Sequence, residues 1–175
     1  MNYPTIIIED TRNQKGKHDN IAQFCEERGI LIVRSKLECG DYSLPTDRSV
    51  CIDTKFGMLE VYGNMTREHD RFAREADLAR QLGIRLVVLV EEDRIHSLSE
   101  VREWKNPRIE KYEWLKKMHE RGRYCGTPLP PKAPVPSERL ERMMQTFAEH
   151  RGIEWRFCRK AETGETICRI LMKEE

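Results

Sequence analysis

The sequence lacks the patterns of several specialised protein classes. Its six cysteines include no Cys-x-x-Cys pair, so neither a zinc ribbon nor a thioredoxin-like motif is expected. No apolar run is long enough to span a membrane, and the first eight residues lack the charged and apolar regions of a secretory signal. We therefore expect a cytoplasmic protein whose cysteines are reduced thiols.

The sequence also lacks an excess of charge of either sign. Its 175 residues include 31 lysines and arginines and 30 aspartates and glutamates, which gives a net charge of +1. The overall charge therefore argues neither for nor against binding of nucleic acid, and only local clusters of charge can indicate it. The hydrophobic fraction of 38% is adequate for the core of one ordinary domain.

Apolar runs and helical stripes alternate along the chain. We predict strands at 5–10, 30–38, 40–44, 50–56, 84–92 and 153–158. We predict helices at 19–29, 66–83, 100–104, 137–152 and 164–172. This order indicates an α/β fold with a mixed central β-sheet flanked by helices. We expect a single domain, 1–175, with a basic and proline-rich excursion from the core at about 105–136.

Three charged residues in the segment 40–57 have a spacing that suits metal chemistry. Asp53 and Lys55 are two apart on a predicted strand and therefore point to the same face. A hairpin would bring Asp41, at the start of the neighbouring strand, beside Asp53. Two adjacent carboxylates repel unless a cation lies between them, and such hard oxygen ligands suit Mg²⁺ or Mn²⁺. A nearby lysine can orient the attacking water or stabilise charge on phosphorus.

The same residues have a simpler interpretation, in which Asp41 closes a turn and the strand carries a solvated charged edge. Against it, Val50 and Ile52 alternate with Cys51 and Asp53, so the charged residues lie on a strand expected in the middle of the sheet. A charge buried there needs a partner or a metal. From these residues alone, the two interpretations have about even weight.

Several motifs in order resemble the XPF-type nuclease domain, and most closely its small phage and bacterial versions. That family has a strand ending in D-x-R-E, then G-D-Y, then E/D-R-K on the next strand, a downstream acidic residue and an arginine-rich helix. The matching segments here are "IIIEDTRNQKGKH", "RSKLECGDYSL", "VCIDTKFGMLEVYGNMTREHDRF" and "IRLVVLVEE". The resemblance covers roughly Thr5 to Arg108 and resumes at Ser137.

The resemblance implies a restriction-endonuclease-like PD-(D/E)XK fold, a divalent metal, and cleavage of DNA, often at branches or flaps. Position by position, it implies these catalytic residues: Asp10, Asp41, Asp53, Lys55 and Glu60. Of these, Asp10, Asp41 and Asp53 are the expected metal ligands. Two positions depart from the family pattern, because Asn13 replaces the glutamate of D-x-R-E and Thr54 replaces the motif arginine. Neither departure removes one of the expected ligands.

Basic residues in two further places could contact DNA. Arg12 follows the first acid, and Arg71 and Arg74 share one face of the arginine-rich helix, although that helix carries as many acids and could be merely solvated. The excursion contributes Lys105, Arg108, Lys116, Lys117, Arg121 and Arg123, interleaved with Trp104, Tyr112, Trp114 and Tyr124. Such a mixture suits phosphates and unstacked bases. An amphipathic helix that docks its aromatic residues on the core explains it equally well.

The leading hypothesis is a Mg²⁺- or Mn²⁺-dependent DNA endonuclease of a bacterial or phage-infected cell. Its expected partner is DNA, with no membrane partner and with a homodimer left open. The rival hypothesis is a catalytically silent DNA-binding or scaffold domain of the same fold, which the departures at Asn13 and Thr54 keep open.

Overall fold

The computed structural model describes residues 3–13, 16, 19–123 and 126–174. Its strands are β1 (Ile6–Glu9), β2 (Leu31–Arg34), β3 (Tyr42–Ser43), β4 (Val50–Lys55), β5 (Arg85–Glu91) and β6 (Glu154–Cys158). Its α-helices are α1 (Asp19–Glu27), α2 (Met58–Met65), α3 (His69–Gln81), α4 (Pro107–Glu120), α5 (Ser137–Arg151) and α6 (Thr163–Leu171). Short 3₁₀ helices span Leu98–Glu103 and Lys160–Glu162. None of the helices in these described ranges is long and apolar enough to cross a membrane.

The six strands form one sheet in the order β2-β1-β3-β4-β5-β6. β1 pairs parallel with β2, and β4, β5 and β6 pair parallel with one another. β3 is antiparallel to both of its neighbours, β1 and β4. The predicted α/β fold with a mixed central sheet flanked by helices is thus confirmed.

Strand β4 lies inside the sheet and is buried along its whole length. Val50 and Ile52 face the core layer that includes α1 and α6. Cys51 faces the opposite layer, which includes α2, α3 and α5. Because side chains alternate along a strand, Asp53 and Lys55 point to the same side as Cys51. The charged pair therefore lies beneath α2 and α3.

The helix predicted at 66–83 is two helices in the structure. Thr66, where the predicted helix begins, instead ends α2, and its hydroxyl donates to the carbonyl of Tyr62 at 2.6 Å. α2 escaped prediction because it is buried on most sides and shows no clear polar face. Gly57, at φ 80°, makes the sharp turn from β4 into α2.

The first part of the excursion forms helix α4. Asn106 caps α4 by accepting a hydrogen bond from the backbone N–H of Arg108, and Pro107 occupies the first turn. Leu115 is the only fully buried residue of this helix. A helix that buries a single residue needs no apolar stripe, and the sequence of α4 accordingly shows little apolar periodicity. The two ends of the excursion are tied together, since the Asn106 amide donates to the carbonyl of Val135 at 3.2 Å.

We expect Gly40→Ala to destabilise the protein by about 2–4 kcal/mol, which combines left-handed strain with overpacking. Gly40 has φ +68°, and a Cβ there would lie 2.9 Å from the carbonyl oxygen of Ile52. Gly83→Ala is the matched control, because Gly83 has the same φ and open space around it. Urea unfolding of both variants measures the difference. Equal losses of stability would show that the contact with β4 is unimportant.

Candidate active site

The predicted acids and the lysine lie around one cavity of about 240 Å³ beside the C-terminal ends of β1 and β4. It is lined by Asp10, Arg12, Asn13, Gly40, Asp41, Asp53, Thr54, Lys55, Glu60, Arg71 and Glu75. The structure thus brings together all five residues predicted to be catalytic. The lining is mainly polar and charged, which suits an ionic ligand.

Asp53 and Lys55 form an ion pair at the base of the cavity. The Lys55 ammonium lies 2.7 Å from Oδ1 of Asp53 and 2.6 Å from Oδ2, but only the contact with Oδ1 has hydrogen-bond geometry. Oδ2 is buried and accepts no hydrogen bond from any residue that the structure describes. Burial raises the pKa of Asp53 to about 7, and repulsion from Asp41 and Glu75 adds to the rise while Lys55 opposes it. The site therefore holds more negative charge than Lys55 offsets.

Asp41 is fixed beside β4 by three hydrogen bonds. Its backbone N–H donates to the carbonyl of Ile52 at 2.6 Å, which continues the hairpin that the sequence predicted. Its Oδ2 accepts from the backbone N–H of Thr54 at 2.8 Å and from the Thr54 hydroxyl at 2.6 Å. Thr54 stands where the resemblance expects an arginine. Here its hydroxyl orients the carboxylate of Asp41.

Asp10 is the acid most fully engaged by other protein groups. Its carboxylate accepts two hydrogen bonds from the Arg12 guanidinium, one from the Arg12 backbone N–H and one from Leu37 N–H, at 2.7–3.0 Å. Burial works to raise the pKa of Asp10, but the hydrogen bonds from Arg12 and Leu37 outweigh it and hold the pKa below its ordinary value. Asp10 thus remains ionised and ties the loop after β2 to the end of β1.

Two further carboxylates complete the cavity. Glu60, in the first turn of α2, accepts a hydrogen bond from the backbone N–H of Phe56 at 2.8 Å. Glu75 of α3 accepts one from the backbone N–H of Gly40 at 2.9 Å, beside Asp41. Sequence reasoning missed Glu75, because it counted this residue only as one acid among several on the helix. Its helical spacing of four from Arg71 was the one signal that could have found it.

The predicted DNA-binding residues separate into two groups. Arg12 and Arg71 line the cavity, while Arg74 is exposed on α3 and does not. The pKa of Arg71 lies above its ordinary value, chiefly because Glu68 accepts its hydrogen bonds, with Glu75 and Asp53 adding to the effect. None of the six basic residues predicted in the excursion lines the cavity, and all six are exposed. Tyr124 lies outside the described residues.

The donor set fits a hard divalent cation. The observation that supports this is the buried Oδ2 of Asp53, which accepts no hydrogen bond from the described residues and lies in a cavity that also contains Asp41, Glu60 and Glu75. Within the described ranges, no three aspartate, glutamate, histidine or cysteine side chains are grouped so that they could hold a metal ion together. Mg²⁺ does not need such a group, since it is commonly held by one or two carboxylates and keeps several waters.

The comparisons with known proteins identify the fold. No protein-family model matches the chain, and no curated protein matches it. Among solved structures, the chain is similar to XPF from Aeropyrum pernix in complex with DNA, with a TM-score of 0.57 and 15% identity over 97% of this chain and 66% of that one. A second structure of the same XPF gives a TM-score of 0.57 and 14% identity over the same shares.

The chain has the fold of XPF. The similarity spans almost the whole of this chain but less than two thirds of the length of the XPF chain. The order of elements expected from the sequence motifs is therefore supported by a likeness that does not depend on those motifs. At 15% identity, this likeness concerns the path of the chain.

We expect Thr54→Val to weaken Mn²⁺ binding about tenfold, because groups that orient a metal ligand typically contribute 10- to 100-fold to affinity. The change keeps the volume of the side chain but removes the hydroxyl that donates to Asp41. Thr54→Ser is the matched control and should retain near-normal affinity. Titration calorimetry of the three proteins measures the effect. Equal affinities for valine and serine would show that the hydroxyl does not position Asp41 for metal.

Proposed function

We propose that this protein is a Mg²⁺- or Mn²⁺-dependent DNA endonuclease. The observation that carries the proposal is the convergence of Asp41, Asp53 and Lys55 on one acidic cavity in the fold of XPF. The similarity to the structure of XPF in complex with DNA supports DNA as the substrate class. A charged pair buried on a central strand is costly to maintain for structure alone, since apolar residues of similar volume often stabilise a fold equally well.

Asp41 and Asp53 would hold the cation, and Glu60 and Glu75 would contribute through water. When bound, the cation supplies positive charge that neutralises the phosphate and makes a water easier to deprotonate. Arg71 faces the same cavity and can bind a phosphate oxygen. Asp10, through its bonds to Arg12 and Leu37, acts mainly by holding the rim of the cavity in place.

Lys55 acts as a cation in this scheme. Burial works to lower its pKa, but Asp53, Asp41 and Glu60 outweigh burial and leave the pKa above its ordinary value. A lysine that remains protonated cannot accept a proton from water at neutral pH. Its role is therefore to stabilise the negative charge that builds up on phosphate oxygens in the transition state.

The preferred DNA is proposed to be branched or flapped, as the resemblance implies. We also propose that the protein is related to the small phage and bacterial versions of the family and that it acts in the cytoplasm. Incubation with linear, flapped and branched duplexes of equal sequence, with and without Mg²⁺ or Mn²⁺, tests the substrate. Equal cleavage of all three would contradict selectivity for structure while leaving the endonuclease intact.

The hydrogen bonding of Asp10 favours a second candidate, a silent DNA-binding domain. The Asp10 carboxylate already accepts four hydrogen bonds, and the family's neighbouring glutamate is Asn13 here. This candidate predicts DNA binding without metal-dependent cleavage. It does not explain why Asp41, Asp53, Glu60 and Glu75 lie around one cavity beside Lys55, and we therefore rank it second.

We expect Asp53→Asn to reduce cleavage at least about 10³-fold while DNA binding is kept or becomes tighter. The substitution is nearly isosteric, removes a metal-holding charge and also removes repulsion toward the phosphate. Lys55→Ala should lower the single-turnover rate by about 10²–10³-fold, as loss of one transition-state contact does, with little change in affinity. Single-turnover cleavage at saturating protein measures both rates.

Arg74→Ala is the control for these variants, because Arg74 is exposed on α3 outside the cavity. It should cleave at a rate close to that of the wild type once DNA is saturated. Undiminished cleavage by Asp53→Asn would place the active site elsewhere. A wild type that binds DNA but never cleaves it in either metal would favour the silent domain.

We expect loss of the basic residues at the end of α4 to weaken DNA binding and flatten its salt dependence. The variant replaces Lys116, Lys117, Arg121 and Arg123 with alanine, and each phosphate contact that is lost reduces the slope of log affinity against log salt by about 0.9. The matched control replaces Glu113 and Glu120 of the same helix with glutamine, which should tighten binding. Fluorescence anisotropy over a salt series measures both. Unchanged slopes would show that this face is merely solvated.

A further inference from the structure

A second cavity, of about 680 Å³, opens between the start of α3 and the outer face of α5. It is lined by Met65, His69, Arg139, Arg142, Met143, Thr146, Phe147, His150 and Arg151. We call it the α5 groove. No aspartate or glutamate is among its lining residues, although acids make up 30 of the 175 residues of the chain. The groove is therefore selectively basic in a protein whose overall charge is balanced.

The basic side chains of the groove follow the helical repeat. Arg139, Arg142, Thr146 and His150 are spaced by three or four residues and share one face of α5. Arg139 and Arg142 are exposed, and neither forms an ion pair with any part of the chain that the structure describes. Their charge is thus not offset by a direct partner.

The floor of the groove is buried and keeps the rim in place. Phe147 stacks on Phe72 with 4.8 Å between ring centroids and an interplanar angle of 1°. The guanidinium of Arg151 lies 5.4 Å from the Phe147 ring and pairs with Asp77. Because Phe147 is only 5% exposed, it cannot offer a face for base stacking. The groove is suited to phosphates and not to unpaired bases.

One aromatic ring connects the groove to the candidate active site. The Lys55 ammonium lies 5.5 Å from the centre of the Phe72 ring, and the same ring stacks on Phe147, the floor of the groove. Helix α3 contributes to both places, since His69 lines the groove and Arg71 lines the active-site cavity.

We propose that the α5 groove binds phosphates of the DNA strand that continues beyond the active site. Arg139 and Arg142 would hold these phosphates, and His69 and His150 would border them. This inference rests on the proposed function, because it takes the strand to be the one that enters the active-site cavity. It adds a binding surface on α5, a helix that contributes nothing to the active-site cavity.

The test compares two charge reversals, Arg142→Glu and Arg169→Glu. Both arginines are exposed on helices, but Arg169 lies on α6, which packs on the opposite face of the sheet. Binding is measured by anisotropy in a chelator, so that cleavage is not required. The probe is one long duplex of about 15 base pairs, which at about 3.4 Å per pair is long enough to contact both the active site and the groove.

We expect Arg142→Glu to weaken binding of the long duplex about tenfold and to lower its salt slope by about one phosphate contact. Arg169→Glu should bind the long duplex as tightly as the wild type does. Arg139→Glu is the second variant, in case Arg142→Glu unfolds at a lower temperature.

The inference is overturned if the Arg142→Glu and Arg169→Glu proteins bind the long duplex equally tightly. It is also overturned if sedimentation shows that Arg142→Glu changes the oligomeric state while DNA affinity is unchanged, since the groove would then join two copies of the chain. The proposed function fails separately, through absence of Asp53-dependent cleavage in Mg²⁺ or Mn²⁺. The binding comparison in a chelator does not depend on that outcome.

Discussion

The ion pair between Asp53 and Lys55, buried on the central strand β4, is the constraint around which the site is arranged. Both side chains are about 5% exposed, so they must find compensation within the protein. Lys55 pairs with the carboxylate of Asp53, while Asp41 and Glu75 add further negative charge to the same cavity. An apolar pair could fill this position without the cost of burying charge. A proton on Asp53 or a cation in the cavity would offset the excess of negative charge.

The raised pKa of Asp53 also makes the stability of the folded protein depend on pH. The folded protein holds the Asp53 proton more tightly than the unfolded chain does. The contribution of this group to stability is therefore fully present below the ordinary pKa of an aspartate and is lost as the pH rises toward about 7. A bound cation would displace the proton and offset this loss, so metal and proton compete for one carboxylate.

Much of this arrangement could be predicted from the sequence, because local alternation and hairpin geometry determine it. The positions of Asp41, Asp53 and Lys55 followed from two short strands joined by a turn, and β4 lies inside the sheet as expected. The left-handed φ of Gly40 explains why the G-D-Y motif needs its glycine, since the chain there passes close to the carbonyl of Ile52.

The parts that escaped prediction depend on contacts between distant segments. Glu75 enters the site through the backbone N–H of Gly40, 35 positions away in sequence, and no local pattern records such a pairing. Helix α2 is apolar on nearly every side, so it lacks the periodicity by which surface helices are recognised. Helix α4 also lacks a clear apolar stripe, but for the opposite reason: it is exposed on nearly every side, and Leu115 is its one fully buried residue.

The buried ring of Phe72 connects the active-site cavity with the α5 groove. It is fully buried, lies 5.5 Å from the Lys55 ammonium and stacks on Phe147. A buried aromatic cluster of this kind has little freedom to rearrange, because close packing leaves no space for alternative rotamers. The distance between the active-site cavity and the basic face of α5 is therefore set by the core. Since that spacing is rigid, a strand engaged at both places would be held in a single register relative to Lys55.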